Sequence, residues 1–182
     1  VRRSEEVTSE PVSQDSLYEV VANSFGPSLI RLARAYEMDP DARRDLLQEI
    51  HLHLWRSLAS FDARCSLRTW VYRIAHNVAT SHVIRQRKIR ISLVGIENVD
   101  DFPIETQTEL GLSQAEALER LSSLIRRLKP LDRQIIVSYL EGMNASAISE
   151  ITGLSQANVA IKIHRIKIIL TRWHGDQAMP AK

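Results

Sequence analysis

The chain has 182 residues, 44% of them hydrophobic and 25% charged, and a formal net charge of +2. That balance excludes disorder throughout and leaves room for one medium domain or two small ones. No apolar run approaches the roughly 18 residues a bilayer crossing needs, and a single cysteine, Cys65, gives neither an internal disulfide nor a zinc-ligand spacing. The amino end lacks the apolar core of a signal peptide, so the expectation is a cytoplasmic protein with no membrane insertion, no cofactor and no metal.

In chain order, residues 1–15 are polar and are expected to form a flexible tail. Leu17, Val20, Val21, Leu29, Ile30, Leu32 and Ala33 then recur at helical spacing, broken at Gly26-Pro27, which predicts two helical pieces or one kinked helix. Asp39 as N-cap and Pro40 at the first helical position open the next helix. It runs to about Ser60 with Leu46, Leu47, Ile50, Leu54 and Leu58 at three- and four-residue steps. After a loop at 61–66, Leu67, Trp70, Val71, Ile74, Ala75 and Val78 form the apolar stripe of a helix ending near Arg87. Residues 89–112 lose the helical period, are acidic and contain Pro103, so they read as an extended linker between two domains. Residues 113–128 are amphipathic; Pro130 opens a helix that closes at Gly142, and Asn144 caps a short helix. Gly153 makes a tight turn, Ser155 caps a last helix to about Trp173, and 174–182 form a tail. The predicted fold class is all-α: two small helical domains, 16–88 and 113–173, joined by an extended acidic linker.

Charge is distributed in blocks. From Asp62 to Arg90 seven Lys or Arg face one acid, whereas from Ile91 to Glu119 there are seven acids and no Lys or Arg; Lys162, Arg165, Lys167 and Arg172 make the last helix basic again. Two basic blocks on an acidic connector suggest two modules that bind a polyanion. The run 147–167 has the spacing of a helix-turn-helix: small Ser149 at the crossing, Gly153 at the turn, and Ile148, Ile151, Leu154, Val159 and Ile163 as the apolar lock. The second helix would then expose Gln156, Ala157, Asn158, Ala160, Lys162, Arg165 and Lys167 after its cap Ser155. Early amides suit base edges in a major groove, and later cations suit phosphates.

On the helix 41–60, Asp45, Gln48, Glu49 and Leu52 form a polar stripe beside the inward Leu46, Ile50 and Leu54. Two readings fit that stripe: docking against another protein, or solvated acids favoured by the helix dipole. His51 and His53 point to different sides of the helix, which argues against a metal site.

With these pieces in order, the chain resembles the extracytoplasmic-function sigma factors of the sigma-70 family over roughly 16–172. The carriers are "DLLQEIHLHLW" (45–55), similar to the family's D-L-x-Q-E-x-aromatic-x-x-x-W helix, "FDARCSLRTWVYRIAHNVATSHVIRQRK" (61–88), similar to its promoter-melting segment, and "LKPLDRQIIVSYLEGMN" (128–144) before the helix-turn-helix. The resemblance implies a subunit that directs core RNA polymerase to promoters, docking through Asp45, Leu46, Gln48, Glu49, Leu52 and Trp55 on the β′ clamp helices, with further contact to the β subunit. It implies that the −10 strand is held by Phe61, Ser66, Arg68, Thr69, Tyr72, Arg73, His76, Asn77 and Ser81, with Arg85, Arg87 and Lys88 on backbone phosphate. Unpaired bases are gripped by flat side chains, amides and hydroxyls, which that face supplies. Trp70 and Ile74 read as core. The −35 duplex would be read by Ser155, Gln156, Ala157, Asn158, Ala160, Lys162, Arg165 and Lys167. An anti-sigma factor is the implied regulatory partner.

The chain departs from the family in two places. His51 stands where an aromatic Phe is usual, and "NVAIKI" replaces a T-V-K-S-R start of the reading helix, which predicts a different −35 preference. The acidic linker would either mimic nucleic acid in the polymerase channel or act as a tether, and Cys65 is either a redox sensor or a small buried side chain. No nucleophile–base pair or phosphate-cradling glycine loop is present, so an enzyme is not expected. Two rivals to a sigma factor remain: a stand-alone helix-turn-helix regulator, which would leave the stripe at 45–55 without a use, and a DNA-acting enzyme such as a recombinase, which would need a nucleophile and a cluster of acids or arginines not seen in the sequence.

Overall fold

Helix α1 (Gln14–Tyr36) opens with the Ser13 hydroxyl accepting the Ser16 N–H at 3.1 Å, so the helix takes in the last two residues expected in the tail. In the computed structural model, which describes residues 13–94 and 114–178, α1 runs through Gly26-Pro27 as one helix, so of the two forms expected there the two separate pieces are not what forms. A proline in a helix interior costs about 3 kcal/mol, and full burial of one aliphatic side chain returns about 1.5–3 kcal/mol. Val21 and Leu29, on either side of the proline, are both fully buried, so packing outweighs the lost hydrogen bond.

Helix α2 (Pro40–Leu58) starts where its cap residues place it: Asp39 Oδ1 accepts the N–H groups of Asp41 and Ala42 at 3.0 and 2.8 Å. Leu46, Ile50, Leu54 and Leu58 form one buried row at four-residue steps. Helix α3 (Leu67–Val94) begins at Ser66, whose Oγ accepts the Thr69 N–H at 3.0 Å. It continues past Arg87 to Val94, into the segment expected to be linker; no Gly or Pro interrupts the chain until Gly95. The apolar period fades there, but without a Gly or Pro to break it the helix continues. The rest of the expected linker, 95–112, lies outside the described residues, as do 1–12 and 179–182.

The second group consists of α4 (Gln114–Arg126), α5 (Pro130–Leu140), α6 (Ala145–Thr152) and α7 (Gln156–Ala178). Its turns follow from the sequence: Gly142 and Gly153 sit at φ +78° and +74°, a backbone only glycine adopts without strain. Asn144 Oδ1 caps α6 through the Ala147 N–H at 2.9 Å. Helix α7 extends beyond Trp173 to Ala178, so part of the expected tail is helical. Among the described residues all regular structure is helical.

The two modules pack directly on each other, with α4 and α5 against α1 and with α5 and α6 against α3. The Arg126 guanidinium donates to the Arg34 carbonyl at 2.8 Å, satisfying a carbonyl in the last turn of α1 that has no partner within its own helix. Arg133 lies over the Tyr36 ring at 5.1 Å, a cation–π contact across the seam.

Candidate nucleic-acid interface

On α2 the outer stripe is present but uneven. Asp45 and Gln48 are exposed, and Leu52 and Trp55 leave 46% and 40% of their surfaces in solvent. Leu46, expected among the docking residues, is fully buried in the row that faces α1 and α3, so it supports the stripe from beneath. Glu49 is half-buried and accepts from Arg85 at 2.7 Å, which ties α2 to α3. Trp55 donates its indole N–H to Asp15 at 2.8 Å while its carbonyl accepts from Gln14 at 2.6 Å. His51 is half-buried with Tyr18 Oη 3.0 Å from its Nδ1, and burial lowers its pKa. Among the described residues no cluster of His, Cys, Asp and Glu could hold a metal ion.

Helix α3 departs most from expectation. Thr69, Tyr72 and His76, expected on an open strand-gripping face, are buried at 2%, 1% and 0% exposure. Both modules cover His76, whose Nδ1 lies 2.9 Å from Tyr36 Oη of α1 and whose Nε2 lies 3.0 Å from Ser138 Oγ of α5. Burial pushes its pKa down to about 3. Arg68 donates to the Glu141 carbonyl, and Arg73 to the Glu150 carbonyl at 3.0 Å. Two cations expected to hold phosphate oxygens thus hold backbone oxygens of α6 and its approach. Trp70 is partly buried, its N–H bonded to Ser57 at 3.0 Å and its ring 5.5 Å from the half-buried Phe61. Ile74 also packs against the core.

What stays open on α3 is a row along its flank. Asn77, Ser81, Arg85 and Lys88 are exposed and lie at three- and four-residue steps, and Arg87 is exposed beside them. The loop before the helix is exposed at 62–64, with Arg64 Nε bonded to Asp62 at 2.5 Å; Ser66, exposed, shares a 2.9 Å hydroxyl contact with Thr69. Cys65 is a half-buried free thiol lining a cleft of about 500 Å³ between this loop and α6.

In the helix-turn-helix, Ser155 Oγ accepts the Asn158 N–H at 3.3 Å and Gln156 reaches Ser146 Oγ at 3.2 Å. Gln156, Ala157, Asn158, Ala160 and Arg165 are exposed as the spacing predicts. Lys162 is not on the open face: its ammonium pairs with Asp132 of α5 at 2.7 Å. Lys167 is exposed but lies 5.4 Å from the Tyr139 ring, drawn towards α5. The sequence reading passed over Ile161, which is 66% exposed; the four-residue step from Ala157 was the available signal.

Glu141 was also missed. It accepts two bonds from Arg31 at 2.7 Å and a longer one from Tyr72 Oη at 3.4 Å, and its own backbone carbonyl takes Arg68. Burial raises its carboxyl pKa, but the Arg31 and Ser28 hydrogen bonds outweigh that and hold it below the ordinary range. Arg31 belongs to α1 and Glu141 to the end of α5, so no local pattern could have paired them.

Residues 21–89 match the family model described as Sigma-70 region 2, and residues 118–170 match Sigma-70, region 4. The ECF RNA polymerase sigma factor SigX of Bacillus subtilis (strain 168) is 22% identical over 155 residues, covering 83% of this chain and 80% of that protein. The RNA polymerase sigma factor YlaC of the same organism is 26% identical over 133 residues, covering 72% and 77%. Among solved structures, CnrH in complex with the cytosolic domain of CnrY aligns with a TM-score of 0.64 at 22% identity over 90% of both chains. The sigma factor RpoE in complex with the anti-sigma factor NepR from Bartonella quintana gives 0.66 at 20% identity, covering 88% of this chain and 96% of that one. With both family regions present in order, and all regular structure among the described residues helical, the chain belongs to the sigma-70 family and is an RNA polymerase sigma factor of the extracytoplasmic-function type.

Proposed function

We propose that the division of labour within this sigma factor follows its exposed faces. The α2 stripe, with Asp45, Gln48, Leu52 and Trp55 outward, docks on the clamp helices of the polymerase β′ subunit. Exposed apolar groups ringed by polar ones suit such a contact. Asn77, Ser81, Arg85 and Lys88 on α3, with the loop 61–66, take the −10 strand as it leaves the duplex. The first turns of α7 enter the −35 major groove.

The observation that carries this reading is the exposed row on α3, which puts an amide, a hydroxyl and two cations in one line, Arg85 being half-exposed while it also pairs with Glu49 of α2. Such a line matches a strand whose bases need hydrogen-bonding groups and whose backbone needs positive charge. Thr69, Tyr72, His76, Arg68 and Arg73 join that surface once the second module leaves α3. The chain performs no covalent chemistry; the polymerase does. As a polymerase subunit the protein would act in the cytoplasm; separately, none of the described helices is long and apolar enough to cross a membrane. Its structural neighbours were solved with CnrY and with NepR, and a partner of the anti-sigma kind is proposed here as well.

Run-off transcription with core polymerase on a pool of genomic fragments, followed by start-site mapping, tests the assignment. Discrete starts are expected with chain plus core and none with core alone. Tight duplex binding without polymerase, and no initiation, would favour the stand-alone regulator.

A further inference from the structure

The open edge of α7 has an unusual make-up for a helix that enters DNA. Ile161 is exposed over 66% of its surface, more than any other large hydrophobic residue among those described. Ala157 lies one turn before it on the same edge, and Ala160 is its neighbour; both are exposed and too short to reach past it. His164 and Arg165 follow three and four residues later, also exposed. The cations that could have bracketed it are turned aside, Lys162 by Asp132 and Lys167 by the Tyr139 ring. The middle of the reading edge is therefore a branched apolar side chain with small neighbours, and the nearest outward guanidinium is one turn further on.

In the major groove the one methyl group available to such a side chain is the 5-methyl of thymine; cytosine offers only a C5–H there, and the remaining base-edge groups are donors or acceptors that isoleucine cannot meet. We propose that Ile161 is a specificity-determining residue that selects thymine at one position of the −35 element by packing on its methyl group. The inference rests on α7 being the −35 reader. Ala157 and Ala160 let the helix approach closely enough for contact, and Arg165 holds the neighbouring phosphate.

The test uses holoenzyme assembled from the full chain and core polymerase, on promoter fragments with a randomised upstream element. The enriched duplex is remade with deoxyuridine replacing each thymine in turn, which removes only the methyl group. At one position the wild type is expected to lose roughly fourfold in affinity, the value of one buried methyl. Ile161→Ala should bind the thymine and uracil duplexes alike, while Ile161→Val, which keeps a branched apolar surface, should retain the preference. Uracil tolerated at every position by the wild type, or an undiminished preference in Ile161→Ala, overturns the role of Ile161 alone. A pool that yields no upstream element at all overturns the −35 assignment of α7, and this inference with it.

Discussion

His76 holds its two ring nitrogens against hydroxyl groups from both modules, Tyr36 on one side and Ser138 on the other, with no access to solvent. Burial has lowered its pKa from 6.5 to about 3, so the neutral ring is the form the seam accepts. A histidine with a depressed pKa takes up fewer protons in the closed state than in an open or unfolded one. Its contribution to the closed state is whole above pH 6.5 and is lost progressively as the pH falls towards 3. Acid therefore favours parting of the modules, and solution scattering between about pH 8 and pH 4 should show the radius of gyration rising below pH 6.5. Glu37 also loses stabilisation in acid, since burial raises its pKa but hydrogen bonds from His82 and the Asp39 and Met38 backbones outweigh that; its partners all lie in the first module, so its share falls on that module and not on the seam. His76→Gln isolates the histidine share, and a titration curve that it leaves unchanged would assign the whole effect to other groups. Asn77, one residue on, is exposed and answers a different question. Asn77→Ala should change stability by less than about 0.5 kcal/mol, as exposed substitutions do. It should leave core affinity unchanged while slowing open-complex formation in permanganate footprinting; lost core affinity would mean that this flank of α3 meets polymerase instead.

Among the elements, α2 is the one whose limits the local chemistry dictates. Asp39 satisfies two N–H groups at its start, and Asp39→Ala should lower stability by about 1 kcal/mol in urea denaturation. An unchanged midpoint would show that Pro40 and packing suffice. The same local rules made Asn144, Gly153 and Ser155 readable in advance, because caps and left-handed turns depend on a few adjacent residues. They left α1 open between one helix and two pieces, a choice made by packing at Val21 and Leu29 from other helices, and they ended α3 too early, where the apolar period fades but the helix continues. The site was legible to a similar depth. Exposure of Asn77, Ser81, Gln156 and Asn158 follows from helical phase, whereas burial of His76 and diversion of Lys162 depend on α5, far away in sequence, and helical phase carries no such information.

For the molecule as a whole, the question is what keeps the second module on α3 and what lets it go. Glu141 ties both sides, with Arg31 of α1 on its carboxylate, Tyr72 of α3 nearby and Arg68 of α3 on its carbonyl. Its side chain is 9% exposed, but Arg31 is 52% exposed, so solvent screening limits the ion pair to about 1 kcal/mol. That latch is one contact among several across the seam, beside Arg126 on the Arg34 carbonyl, Arg73 on the Glu150 carbonyl and His76 against Ser138. On the proposed reading, DNA on α3 would compete with the module for Arg68 and Arg73, which the module holds through the Glu141 and Glu150 carbonyls. Glu141→Gln removes the charge and keeps the shape; it should enlarge the radius of gyration of the free chain and speed hydrogen exchange at the Glu141 end of α5. Holoenzyme carrying it should open promoters at least as fast as the wild type, since the latch has no partner once the modules have separated. Slower opening with an unchanged radius of gyration would place Glu141 in the DNA-bound state and remove it from the closed one.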